Sequence, residues 1–199
     1  PSVAPGIRLI SHLARASDLD SPMTKNQLQI FNETCRMFPA ERSIANSAAI
    51  LLWPDSCQDW VRPGLMLYGV SPVEGRTSRD FDLAPVMSFQ SHLIATKSLQ
   101  RGDTVGYGAG WVCPEDMPVG IVAAGYGDGF PRHSSSGCPI LVSGMRTTII
   151  GHASMDMLSV DLRAIPGAKV GDPVELWGSQ LPIEEVAAHA GTIPYELMC

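Results

Sequence analysis

Three stretches of this chain hold side chains that can grip an anion or move a proton. The first is Trp60-Val61-Arg62-Pro63-Gly64-Leu65, which sets an arginine two residues before a glycine at the mouth of an apolar run. A guanidinium keeps its charge at physiological pH, and a glycine, lacking a Cβ, lets a backbone N–H come close to a ligand. The second is Ala45-Asn46-Ser47-Ala48-Ala49. An Asn-Ser pair opening a helix is by itself an ordinary N-cap; taken with Gly64 and the next N–H, that of Leu65, Ser47 reads as part of a phosphate site. The third is a pair of tyrosines set among glycines, Val105-Gly106-Tyr107-Gly108 and Ala124-Gly125-Tyr126-Gly127-Asp128-Gly129. A phenol with a pKa of about 10 can act as a base only in a basic neighbourhood. A tyrosine in a glycine-rich hairpin seen alone is turn packing.

The elements that must carry these residues fall into two rhythms. From residue 1 to about 75, short apolar runs alternate with helical patterns. Ile7 to Ser11, Ser43 to Ala45 and Gly64 to Tyr68 read as strands, Lys25 to Met37 and Ser47 to Trp53 as helices. Alternating strand and helix predicts βα units on a parallel sheet. Three units do not close a barrel, so this half reads as the C-terminal part of a (β/α)8 barrel. Active sites in such barrels lie at the C-terminal strand ends, where His12, Asn46 and Ser47 fall. Residues 76–82 read as a linker. From 83 to 199 the pattern is of short β-rich runs parted by Gly and Pro, which predicts a mainly antiparallel β-barrel-like domain. One helix, Ile183 to Ala190, follows Pro182 and stops at Gly191.

In this order, and joined by Ser154-Met155-Asp156-Met157, the motifs closely resemble those of the alanine racemases, isomerases that use pyridoxal phosphate (PLP). The resemblance runs from about Ile7 to Cys199. It implies that Asn46, Ser47, Gly64 and Leu65 hold the cofactor, and that Arg62 faces the pyridine nitrogen and leaves it largely unprotonated. It implies two acid/base groups on opposite faces of the substrate carbon, one of them Tyr107, joined by hydrogen bonds through His12 to Arg62. Met155 and Asp156 match a loop that holds the substrate carboxylate, and Tyr126 matches a tyrosine near the entrance. The resemblance further implies a homodimer with sites shared between subunits. The other base, the PLP-binding lysine, belongs to a motif found nowhere here: Lys25, Lys97 and Lys169 lie outside anything like it. The chain therefore reads as a fragment that is inactive alone.

Composition removes other classes. A net charge of −6 with 17% charged and 45% hydrophobic residues suits a globular protein and argues against nucleic-acid binding, which wants a basic face. No apolar run nears the ~18 residues of a membrane span, and Pro1-Ser2-Val3 shows no leader. Five cysteines and five histidines are too scattered for disulfides or a metal site, which fits a cytoplasmic protein. Two other readings stay open: a racemase of the same fold acting on serine or a basic amino acid, and a noncatalytic PLP-binding protein. The product or substrate D-alanine would serve peptidoglycan synthesis or catabolism.

Overall fold

The computed structural model describes residues 6–199, so the reading of Pro1-Ser2-Val3 falls outside it. The chain divides into two compact units, Pro1–Ala84 and Pro85–Cys199.

In the first unit, β1 (Arg8–Ile10), β2 (Glu41–Asn46) and β3 (Trp60–Arg62) form a parallel sheet in that order. Parallel neighbours need crossovers. Helix α1 (Met23–Cys35) makes the first and α2 (Ser47–Leu52) the second. α1 buries Thr24, Leu28, Phe31 and Cys35, spacings of four and three that line one helical face. That face packs with Leu13, Ile44 and Ala49; fully burying a Leu or Phe contributes about 2 kcal/mol. On the other face of the sheet, Arg8 Nε and Trp60 Nε1 both donate to Glu41 Oε2, at 2.7 and 2.8 Å, and the Arg8 guanidinium lies 4.2 Å from the Trp60 ring centre. Two residues on along β2 and β3, the same alternation puts Ser43 and Arg62 on this face.

The sequence places a strand at Gly64 to Tyr68, and the structure does not. β3 ends at Arg62, and Leu65–Tyr68 winds into a 3₁₀ turn closed by Gly69 at φ 70°. Pro63 has no N–H to offer a ladder. The N–H groups of Gly64 and Met66 turn instead to the Ser47 hydroxyl.

The second unit is built on a closed barrel of six strands, each pairing antiparallel with its neighbours. They are β4 (Phe89–Leu99), β7 (Met117–Val122), β8 (Pro139–Val142), β9 (Met145–Ile150), β10 (Leu158–Asp161) and β11 (Pro173–Trp177). Its interior is filled by Leu93, Val122, Ile140, Ile149, Leu158, Val160 and Trp177, each at most 1% exposed. Between β4 and β7 the chain makes a small hairpin, β5 (Thr104–Val105) and β6 (Trp111–Val112), whose tip carries Tyr107. A minor core of Cys113, Met117, Val119 and Ile150, flanked by Leu99, Val105 and Trp111, fastens this hairpin. α3 (Ile183–Ala190) has the predicted bounds: Pro182 precedes it and Gly191, at φ 69°, ends it in the left-handed region. A short α4 (Pro194–Leu197) follows. The first unit thus has the parallel sheet and helices of a partial (β/α)8 barrel, and the second is the expected antiparallel β domain.

Candidate active site

Six of the residues singled out in the sequence, His12, Asn46, Ser47, Arg62, Gly64 and Leu65, gather at the C-terminal edge of the parallel sheet. β2 runs into α2 without a loop, and Asn46 is the joint: its backbone is extended, and its Oδ1 accepts the Ala49 N–H at 3.0 Å. That cap fixes the direction of the amide. Nδ2 is left to donate, reaching the Leu13 carbonyl and His12 Nε2, both at 3.3 Å. In this contact the amide is the donor and His12 Nε2 the acceptor. α1 steadies the same loop, because Gln27 donates to the His12 carbonyl and accepts from the Ala14 N–H, each at 3.1 Å.

Next along the chain, Ser47 is buried, and its hydroxyl oxygen accepts the Gly64 N–H at 2.8 Å and the Met66 N–H at 3.4 Å. Leu65, buried, stands between these two donors in the chain. Arg62 donates from Nη1 to Ser43 Oγ at 2.7 Å and from Nη2 to the Ser11 carbonyl at 2.6 Å. Its guanidinium is aimed by β1 and β2 together, with further N–H groups to spare. The chain of bonds expected from His12 to Arg62 takes a different form within this unit: the His12 ring meets Asn46, and Arg62 meets the carbonyl of the residue before His12.

The remaining site residues belong to the second unit. Tyr107 is 87% exposed at the hairpin tip, in a loop where Gly106, Gly108 and Ala109 take φ of 83°, 72° and 52°. Tyr126 sits in a 3₁₀ turn in which Asp128 Oδ2 accepts the Gly125 N–H at 2.9 Å, so Asp128 caps that turn. The Arg132 guanidinium lies 5.8 Å from the Tyr126 ring centre, a cation–π contact. Phe130, buried and stacked on Trp177, pins the end of the turn to the barrel interior.

This turn is interlocked with the loop of Met155 and Asp156. The Tyr126 N–H donates to the Ser154 carbonyl at 2.9 Å and the Gly127 N–H to the Met155 carbonyl at 2.6 Å. A Cβ on Gly125 would stand 2.3 Å from the Ser154 carbonyl oxygen and 2.5 Å from the Asp156 nitrogen. Only glycine permits that approach. Met155 and Asp156 are thereby presented outward, both exposed.

Sequence reasoning passed over Ser43, Met66, Arg132 and the positioning glycines. The first three carry no pattern that marks them. The repeated Gly-X-Gly at 125–127 did carry a signal, since paired glycines around a tyrosine can mean close backbone approach as well as a turn. Among the described residues no group of His, Cys, Asp and Glu is arranged to hold a metal ion, and no helix is long and apolar enough to cross a membrane.

Comparison with known proteins covers both units. Residues 4–72 match the alanine racemase N-terminal domain and residues 86–199 the alanine racemase C-terminal domain. An alanine racemase of Halorhodospira halophila is 54% identical over 194 residues, 97% of this chain and 53% of that protein. The catabolic alanine racemase of Pseudomonas putida is 50% identical over 193 residues, 97% of this chain and 54% of that protein. Among solved structures, the biosynthetic alanine racemase from Pseudomonas aeruginosa superposes with a TM-score of 0.93 at 45% identity, over 96% of this chain and 53% of that one. The enzyme from Bartonella henselae, solved with covalently bound pyridoxal phosphate, gives 0.86 at 32% identity, over 96% and 53%. The chain spans about half the length of the curated relatives it matches. With both domain models matched in order and half or more of the aligned residues shared with the enzymes of Halorhodospira halophila and Pseudomonas putida, the chain belongs to the alanine racemase family.

Proposed function

We propose that this chain supplies part of a PLP-dependent alanine racemase of the cytoplasm, interconverting L- and D-alanine for cell-wall synthesis or for catabolism. The observation that carries this reading is the cradle at the sheet edge, where Ser47 Oγ, the Gly64 and Met66 N–H groups and the Arg62 guanidinium collect donors at one place. The residues fit the cofactor. A phosphate oxygen can take the N–H groups that Ser47 now accepts while the hydroxyl turns to donate, with the Leu65 N–H beside it. Arg62, which does not surrender its proton, suits a pyridine nitrogen that stays unprotonated. PLP, when bound, draws electron density from the substrate carbon that loses its proton. Arg62 tempers that pull and favours return of the proton over side reactions.

Tyr107 takes and returns the proton on one face of that carbon. Its exposure suits a residue that must reach a substrate lying outside its own β domain, and sites shared between the subunits of a homodimer are the family's arrangement. His12 and Arg62 supply the basic surroundings the phenol needs. Met155 and Asp156 meet the carboxylate, and Tyr126 narrows the approach. A base on the opposite face must come from elsewhere, since Lys25 lies on α1, Lys97 on β4 and Lys169 beyond β10.

Tyr107→Phe in the full-length enzyme tests the assignment. The α-hydrogen of one alanine enantiomer should stop exchanging with solvent while PLP binding persists. Unchanged racemisation would falsify it.

A further inference from the structure

We propose that His152 is a positioning residue for Tyr107, standing on a segment, Gly151 to Met157, that joins the tyrosine loop to the loop of Met155 and Asp156. The inference rests on the reading of Tyr107 as an acid/base group.

Gly151 is the fixed end of that segment. Its N–H donates to Ser136 Oγ at 2.7 Å, and the Ser136 hydroxyl donates back to the Gly151 carbonyl at 3.3 Å. From there the backbone runs against the base of the Tyr107 loop. A Cβ on Gly151 would lie 3.4 Å from Val105 Cγ1, one on Gly106 would lie 3.8 Å from the His152 nitrogen, and one on Gly110 would lie 3.9 Å from His152 Cδ2. His152 thus lies alongside both the residue that opens the loop and the residue that closes it, within a methyl group's reach of each. Two residues later the same segment is zipped to Tyr126 and Gly127.

The loop needs such an abutment. Within Gly106 to Gly110 the Ala109 N–H reaches the Gly106 carbonyl at 3.2 Å, and three of the five residues have positive φ. For Ala109 that conformation costs about 1 kcal/mol, so the loop is held from outside. The ring of His152 makes no hydrogen bond among the described residues, and what it offers the loop is bulk beside Gly110 that limits how far the loop can swing. Bulk suffices, because a displacement of about 1 Å in a proton-transferring group can cost about a hundredfold in rate.

The test compares His152→Ala, His152→Gln and Tyr107→Phe in the full-length enzyme, following α-hydrogen exchange into D2O from each alanine enantiomer. His152→Ala should slow exchange from one enantiomer about tenfold and leave the other within about twofold. That is the enantiomer silenced by Tyr107→Phe, and the bulk of His152→Gln should restore most of the loss. Equal loss for both enantiomers, or none, overturns the role of His152 while the Tyr107 assignment stands. If Tyr107→Phe leaves both enantiomers exchanging normally, the reading of Tyr107 fails and the inference with it. Independently, in the full-length enzyme, His152→Ala should speed hydrogen exchange of the Ala109 amide, the one bonded within the loop among the described residues, about tenfold. Unchanged protection there counts against the proposal.

Discussion

On the function proposed above, Ser47 would serve the fold and the ligand with one oxygen. Its hydroxyl gathers the N–H groups of Gly64 and Met66 and so bends the chain after β3 into the turn that a phosphate would occupy. Removing it separates the two roles by magnitude. Gly64 is exposed, so water replaces most of the lost acceptor, and Ser47→Ala should cost only about 1 kcal/mol in urea unfolding. On the proposed function, the same change would take a charge-assisted partner from the phosphate, worth about 1.5–3 kcal/mol. PLP affinity of the full-length enzyme should therefore fall roughly tenfold or more, followed by cofactor titration. Equal affinity for Ser47→Ala and the unsubstituted enzyme would remove Ser47 from the cradle. Residues of this kind were legible in the sequence because their spacing declares them: Asn46-Ser47 before a helical pattern, Arg62 two residues before Gly64. Ser43 was not legible, since a serine inside a strand has no pattern of its own, and its bond to Arg62 exists only once β2 and β3 lie side by side.

Between elements, what fixes the β-domain site is contact of backbone with backbone. The Gly125 turn and the Ser154 to Asp156 loop approach so closely that a side chain at 125 would overlap main-chain atoms that cannot step aside. Gly125→Ala should cost about 3 kcal/mol or more. Gly129→Ala is the matched control: its φ of 102° strains an alanine, but nothing lies within 4 Å of the new Cβ, so about 1–2 kcal/mol is expected. Thermal unfolding of the two variants decides between crowding and backbone strain; equal losses would mean the interlock contributes nothing. The same competition between local pattern and neighbours explains which elements could be read in advance. α3 was legible to the residue because Pro182 and Gly191 mark its ends chemically. Gly64 to Tyr68 was misread as a strand because an apolar run looks alike whether it pairs or curls, and the donors' destination, Ser47, is seventeen positions away.

Across the whole chain, stability should form a plateau bounded by different groups at its two ends. In the first unit, the hydrogen bonds from Arg8 and Trp60 hold the Glu41 carboxyl below its ordinary value of 4.5. In the second, burial works to raise the Asp161 carboxyl, and the bonds from Arg163 outweigh it, leaving it below 3.8. A carboxyl depressed in the folded state adds stability that is fully present above its unfolded pKa. That contribution is lost as pH falls through the folded one. Both units should therefore hold steady down to about pH 5 and weaken below about pH 4. Cys138 acts in the opposite sense. Burial raises its thiol above 9.0, against a smaller lowering by the Ser134 hydroxyl, so its contribution is intact below that pH and fades as pH climbs through the folded value. Urea midpoints measured from pH 3 to 11 should fall at both ends. Asp161→Asn should flatten the acid limb and leave the alkaline one, while Cys138→Ala should do the reverse. Because the Glu41 carboxyl is also held below its ordinary value, the acid limb of Asp161→Asn should be flattened rather than abolished. An acid limb unchanged in Asp161→Asn would show that the Arg163 pairing does not couple to folding.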